Sequence, residues 1–130
     1  GWMTSLIPVF LKTSFKHEPL FENSKVVYSV YNDGFKSPLN KNMAKKAVMD
    51  GVESVDLKDY EDSSFDGITK AAINWSDGVI LGSNDIDKSL IDHAKNGEKP
   101  LLEYKTEDEY LDAYSEFYDQ VMASEAVLTQ

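Results

Sequence analysis

The chain contains no cysteine, which excludes a disulfide framework and a thiolate metal site. It has two histidines, His17 and His93, far apart in sequence, a poor start for a histidine metal cluster. No apolar run approaches the roughly 20 residues of a spanning helix, and no signal-peptide pattern opens the chain. No membrane partner is expected, and the cytoplasm is the expected location. Positive charge is also scarce: 13 basic residues face 23 acidic ones, for a net charge of −10. That balance leaves no electrostatic footprint for nucleic acid or an anionic membrane surface. Neither G-x-G-x-x-G nor G-x-x-x-x-G-K-[ST] occurs, so the two common phosphate-cradling loops are missing. Internal repeats and low-complexity segments are absent as well.

What remains is a chain of 130 residues, enough for one domain with a real core. Residues 2 to 16 carry a helical stripe through Leu6, Phe10 and Thr13, widened by Trp2, Val9 and Leu11. Pro8 predicts a kink or a late helix start near Ile7, because proline removes a backbone bond. Lys25 to Tyr31 is β-branched or aromatic at nearly every position, as in a strand covered on both faces, and stops at Asn32-Asp33-Gly34. A helix is predicted from about residue 40 to Asp50, closed by Gly51 in the C′ position. Residues 52 to 63 read as an irregular acidic connection anchored by Val55, Leu57 and Tyr60.

Ser63 or Ser64 caps the next helix, about 65 to 75, with Phe65, Ile68, Ala72 and Trp75 on one face. Asp77 to Ser83 is a second buried strand, ending in small residues. Asn84 is expected to cap a helix from Asp85 to Asn96. Lys99 to Tyr104 forms a third strand, and Thr106-x-x-Glu109 makes a capping box for a last helix. On that helix Leu111, Tyr114, Phe117, Tyr118, Val121 and Met122 repeat at helical spacing, and Glu125 to Gln130 are expected to fray. Short apolar strands alternating with amphipathic helices predict an α/β fold with an open parallel, Rossmann-like sheet. Trp2, Leu6, Phe10, Phe65, Ile68 and Trp75 are the expected core.

Parallel sheets bind ligands beyond their strand carboxyl ends, which directs attention to two short segments. Gly82-Ser83-Asn84 offers backbone N–H groups at a helix start, suited either to an anion or to an ordinary capped turn. Asp85 and Asp87 favour the turn, since carboxylates compete with phosphate there. Tyr31 and Asn32 at the end of the first strand are the candidate substrate-binding residues; the alternative is that Asn32-Asp33-Gly34 serves only as a turn. The carboxylates Asp56, Asp59, Glu61 and Asp62 do not match a calcium loop and read as a solvated acidic segment. No catalytic residue, metal ligand or cofactor is assigned.

Four stretches together resemble bacterial glycogen and starch synthases. Residues 1 to 12 resemble an Asp-Trp-His-Thr-Ala-Leu run that closes on proline, an aromatic residue and Leu-Lys. Lys25 to Asn32 resembles the strand leading to a His-Asn pair, with Tyr31 standing for the histidine and Asn32 matching. Lys70 to Val79 resembles a Lys-Ala-Gly-Ile-x-Tyr-Ala-Asp-x-Val run, and Ser83 a Ser-Pro-Thr-Tyr turn. Gly1 stands at the family's aspartate, Met3 at its histidine and Gly67 at an asparagine. Leu102-Glu103-Tyr104 and the tyrosine-rich last helix further resemble the short glycogen/starch synthase-like proteins of the Bacteroidetes.

The resemblance implies the C-terminal portion of the N-terminal domain of a glycosyltransferase-B enzyme. Residues 1–124 would form that partial domain, cut just past a catalytic histidine. The parent activity it implies is α-1,4-glucosyl transfer from ADP-glucose to an α-glucan end, with retention and without a metal. It also implies a donor diphosphate held by Arg and Lys of a second domain, and a Lys-x-Gly-Gly-Leu loop nearer the N-terminus. This segment alone is expected to be inactive, and a homo-oligomer is expected through the truncated face. The alternative is a catalytically dead α/β domain that binds glucan or acts as a scaffold.

Overall fold

A computed structural model describes residues 1–124; the tail expected to fray, 125–130, lies outside the described residues. Three strands, β1 (Val27–Val30), β2 (Gly78–Leu81) and β3 (Leu101–Leu102), form one parallel sheet in the order β1-β2-β3. Val27 pairs with Gly78 and Val30 with Leu81, while Val79 pairs with Leu101. The helices are α1 (Ile7–Lys12), α2 (Met43–Lys46), α3 (Phe65–Asn74), α4 (Lys88–Asn96) and α5 (Tyr110–Ala123). The predicted parallel α/β architecture is therefore present.

Central strand β2 is buried at all four positions, which is why its sequence is continuously apolar. Strand β1 differs from expectation: Tyr28 and Val30, facing α3 and α4, are buried, but Val27 and Ser29, on the α5 side, are only half so, because that face is less fully covered. Helices α3 and α4 cover one face of the sheet, packing Ala72, Ile73, Leu90 and Ala94 on Tyr28, Val30, Val79 and Leu81. Helix α5 covers the other face, with Phe117 and Val121 on Ile80, flanked by Val27 and Leu102. Behind α3 lies a second core of Val9, Leu57, Tyr60, Ile68, Ala71 and Trp75. Tyr60 is wholly enclosed there, its hydroxyl donating to the Ser5 carbonyl at 2.6 Å. Burial pushes that phenol well above its ordinary pKa.

Several boundaries move from their predicted places. Pro8 sits in the first turn of α1, where a missing N–H is harmless. The helix therefore begins at Ile7, with only a 3-10 turn, Trp2–Thr4, ahead of it. The helix expected over 40–50 shrinks to α2, because Met49 and Val52 close an antiparallel bridge and Gly51 adopts φ 79° within it. Ser64 caps α3 as predicted, accepting the Gly67 N–H at 3.0 Å. Asn84 does not cap α4; Asp87 does, accepting the Ser89 N–H at 2.8 Å. Thr106 donates its hydroxyl to the Glu109 carboxylate at 3.4 Å and its carbonyl accepts the Glu109 N–H at 3.1 Å, but α5 begins at Tyr110 without a side-chain cap.

The expected core is correct at Ile68 and Trp75, whereas Trp2, Leu6, Phe10 and Phe65 are half-buried at its margin. Val55 is no anchor, being 68% exposed. On α5, Leu111, Tyr118 and Met122 face solvent, because the helix presents a wider apolar stripe than the sheet beneath can cover.

Candidate substrate cleft at the strand ends

Strand β1 ends at Val30 and delivers Tyr31 and Asn32; β2 ends at Leu81 and delivers Gly82 and Ser83. Beyond these ends, bounded by the starts of α3 and α4, lies a cleft of about 660 Å³. Tyr31 and Asn32 both line it, together with Lys36, Phe65, Asp66 and Asp87. This is where the topology of a parallel sheet places a ligand.

Asn32 binds the two strand ends together. Its backbone N–H donates to Ser83 Oγ at 3.0 Å, and its Nδ2 donates to Asp85 Oδ2 at 2.8 Å. The turn and ligand readings of this segment are thus compatible, since the side-chain carbonyl remains unspent. The Tyr31 ring lies across Gly82, where a Cβ would come within 2.3 Å of it. Tyrosine in place of the family's histidine therefore requires a glycine opposite.

Two other positions that the resemblance marks are crowded by neighbours, and a third is not. A Cβ on Gly67 would stand 2.3 Å from the Asp62 carbonyl oxygen, and one on Gly1 would run into the Asp33 carboxylate. Asparagine at 67 does not fit the chain as folded, because backbone blocks it, whereas a side chain at 1 needs only the Asp33 carboxylate to turn aside. Met3 is 82% exposed and takes no part in the cleft.

The cleft lining carries two carboxylates, Asp66 and Asp87, against one ammonium, Lys36. Asp66 pairs with Lys70 at 2.6 Å and accepts the Ser89 hydroxyl at 2.9 Å. Hydrogen bonds from Ser89, backbone first, hold the Asp87 carboxyl below its usual pKa. Lys36 is the lysine lining the cleft, and the chain has no arginine. At the Gly82-Ser83-Asn84 turn, Ser83 Oγ is engaged by Asn32 and the α4 start is capped by Asp87, so the segment is a turn without the expected Asn84 cap.

One wall of the cleft is aromatic, a feature the sequence reading missed. Phe35 and Phe65 line it and meet edge to face at a centroid distance of 5.9 Å, while Trp2, outside the lining, meets Phe35 edge to face at 5.1 Å. Gly34 admits the Phe65 ring, since a Cβ at that position would lie 2.8 Å from it. Phe65 reads as core from helical periodicity alone; the signal that it turns outward is the Gly34-Phe35 pair that meets it on the cleft wall.

Other candidates lie elsewhere. His93 Nε2 sits 2.7 Å from Asn74 Oδ1, half-buried rather than exposed, and burial and then Lys70 lower its pKa. His17 is exposed in the turns after α1. In the acidic segment the carboxylates serve separately: Asp56 accepts the Glu53 N–H, Asp59 the Asn74 amide and Asp62 the Ser64 N–H. Among the described residues no group of three or more potential ligands is placed to hold a metal ion.

Comparison with known proteins agrees with this geometry. The starch synthase catalytic domain family matches residues 1–104, which include every cleft residue named above. A protein named glycogen synthase from Pseudothermotoga lettingae is 35% identical over 46 residues. That match covers 35% of this chain and 10% of the relative, so the chain spans only a small part of its length. No solved structure matches the chain. Three parallel strands, a cleft at their carboxyl ends and a match over most of the sequence converge: the chain belongs to the starch synthase catalytic domain family.

Proposed function

We propose that this segment supplies the glucan-facing wall of a glycosyltransferase-B enzyme that transfers glucose from ADP-glucose to an α-1,4-glucan. The observation that carries this reading is the pairing of a negative cleft with an aromatic wall. Asp66 and Asp87 line the cleft with Phe35 and Phe65, and Lys36 is the lysine there. A diphosphate entering it meets like charge. A neutral sugar does not, and its apolar face gains by packing on aromatic rings. Tyr31 and Asn32 are the proposed glucan contacts, with the Asn32 carbonyl accepting a sugar hydroxyl.

The same charge balance supports inactivity of the segment by itself. Retaining transfer needs positive charge around the departing diphosphate, and this cleft offers one lysine and no arginine. A cytoplasmic setting is part of the proposal. The described residues include no helix long and apolar enough to cross a membrane.

Calorimetric titration with ADP-glucose and with maltooligosaccharides tests this. Weak glucan binding and no glucose incorporation into glycogen are expected. ADP-glucose binding tighter than about 0.1 mM, roughly −5.5 kcal/mol, would reveal a donor site in this segment and overturn the reading. A catalytically dead glucan-binding or scaffold domain shares the same cleft chemistry. It is separated by assaying transfer in a longer chain that carries this segment.

A further inference from the structure

Strands β1 and β2 stay joined beyond their ends, at the mouth of the cleft. Gly82 donates its N–H to the Val30 carbonyl at 2.7 Å, and further on Asn32 donates its N–H to Ser83 Oγ at 3.0 Å. These bonds fix where Asn32 sits, among the residues that line the cleft. They leave open which end of its side-chain amide a ligand meets. A half-turn about the last side-chain torsion exchanges an acceptor for a donor.

Asp85 makes that choice. Its Oδ2 accepts from Asn32 Nδ2 at 2.8 Å. An ionised carboxylate accepts and does not donate, so the amide must turn its NH2 group toward Asp85. The carbonyl is then the end left for a ligand. The local fold does not need Asp85 for this purpose or for capping. Asp87 caps α4 by accepting the Ser89 N–H at 2.8 Å, and Asp85 is exposed and stands outside the cleft lining.

The contact also changes what the amide offers. Donation to a charged acceptor polarises the amide and strengthens its carbonyl as an acceptor in turn. A sugar hydroxyl can donate to that carbonyl. A phosphate oxygen, an acceptor like it, cannot. Orientation of one amide thus favours the same ligand class that the charge of Asp66 and Asp87 favours.

We propose that Asp85 is a positioning residue, which orients the Asn32 amide so that the cleft presents a hydrogen-bond acceptor to a glucan hydroxyl. This rests on the glucan reading of the cleft.

The test uses the 130-residue protein, titrated with maltotriose, melted, and followed by NMR through the Asn32 side-chain amide protons. Asp85→Ala should weaken maltotriose binding about threefold, the loss expected when one of three staggered orientations is no longer enforced. It should melt as wild type does and should shift the Asn32 amide signals even without sugar. In an Asn32→Ala background it should weaken binding no further, because its effect passes through Asn32. Asn32→Asp should bind more weakly than wild type, since two carboxylates then face each other. Adding Asp85→Asn, which can donate to the introduced carboxylate, should restore binding.

Unmoved amide signals in Asp85→Ala, or wild-type binding by it alongside a loss in Asn32→Ala, would overturn the positioning role and leave the cleft reading standing. Equal losses from Asp85→Ala in both backgrounds would overturn the role too, as would a lowered melting temperature that accounts for the loss. An exchanged pair that binds no better than Asn32→Asp would do the same. Undiminished binding by Asn32→Ala would remove Asn32 from the contacts and the proposal with it. No maltotriose binding by the wild type would overturn the cleft reading and the role of Asp85 together.

Discussion

The Lys12 ammonium lies 2.5 Å from the carboxylate of Asp77, joining the end of α1 to the residue before β2. The Asp77 side chain is fully buried, and its Oδ2 also accepts the Val26 N–H at 2.7 Å. The Asp77 N–H returns a bond to the Val26 carbonyl, again at 2.7 Å. One aspartate thereby aligns the amino ends of β1 and β2. Nearby, Lys99 Nζ donates to the carbonyls of Ile73, Asn74 and Ser76 at 2.8, 2.9 and 2.7 Å, closing the end of α3. A cation suits a helix C-terminus. Burial lowers Lys99 to about 8, with Asp77 opposing and Lys12 reinforcing the shift. These charges occupy the sheet's amino end, away from the cleft.

Lys12→Met should therefore be costly, on the order of 3–5 kcal/mol, because it removes an ammonium paired with a buried carboxylate. Adding Asp77→Asn should recover part of that loss, since the two positions are coupled. Urea denaturation of the single and double variants measures the coupling. Strictly additive losses would mean the pair contributes nothing as a pair.

Ile68→Ala should cost about 2–5 kcal/mol, since Ile68 is completely buried. Phe65→Ala should cost less, because that ring is half-buried at the cleft margin, but should weaken glucan binding more. Thermal melts paired with titrations separate the two positions. The reverse ranking in stability would move Phe65 into the core.

Gly67→Asn places the family's residue at its own position, yet should destabilise by about 1–3 kcal/mol, as overpacking does. The new side chain would collide with the Asp62 carbonyl and disturb the Ser64 cap. A variant as stable as wild type would show that the 62–64 segment yields easily.

Acidification should destabilise the fold partly through His93. Burial and Lys70 hold its folded pKa below 6.5, so between that value and 6.5 the unfolded chain binds more protons. The linkage slope then makes stability rise with pH, and fall as pH drops through this window. His93→Gln should lose less stability than wild type between about pH 7.5 and 5.5. Parallel pH curves for the two proteins would dismiss His93 as the source.

Strand β1 has β2 on one side and, among the described residues, no strand on the other. An open edge invites pairing with another chain. We expect the 130-residue protein to self-associate through this edge, and light scattering at rising concentration measures it. A monomer at every concentration would count against the expectation.

Much of this protein is readable one segment at a time. The apolar run from Gly78 to Leu81, the Ser64 cap and the late helix start at Pro8 depend on neighbours within a turn, and the sequence alone determined them. Tyr31 and Asn32 were likewise legible, because strand ends in a parallel sheet are where ligands bind. Tertiary structure decided what depends on distant partners. Asp87 rather than Asn84 caps α4, a choice between two competent residues made by where the chain leaves β2 and meets Asp66. Periodicity placed Phe65, Tyr114 and Tyr118 on apolar stripes, but a stripe does not state how much of it a neighbour will cover. Phe65 meets Phe35 on the cleft wall, and α5 overhangs a β3 only two residues long, leaving Tyr110 and Tyr118 at the surface. Burial is a property of two surfaces meeting, and sequence periodicity describes only one of them.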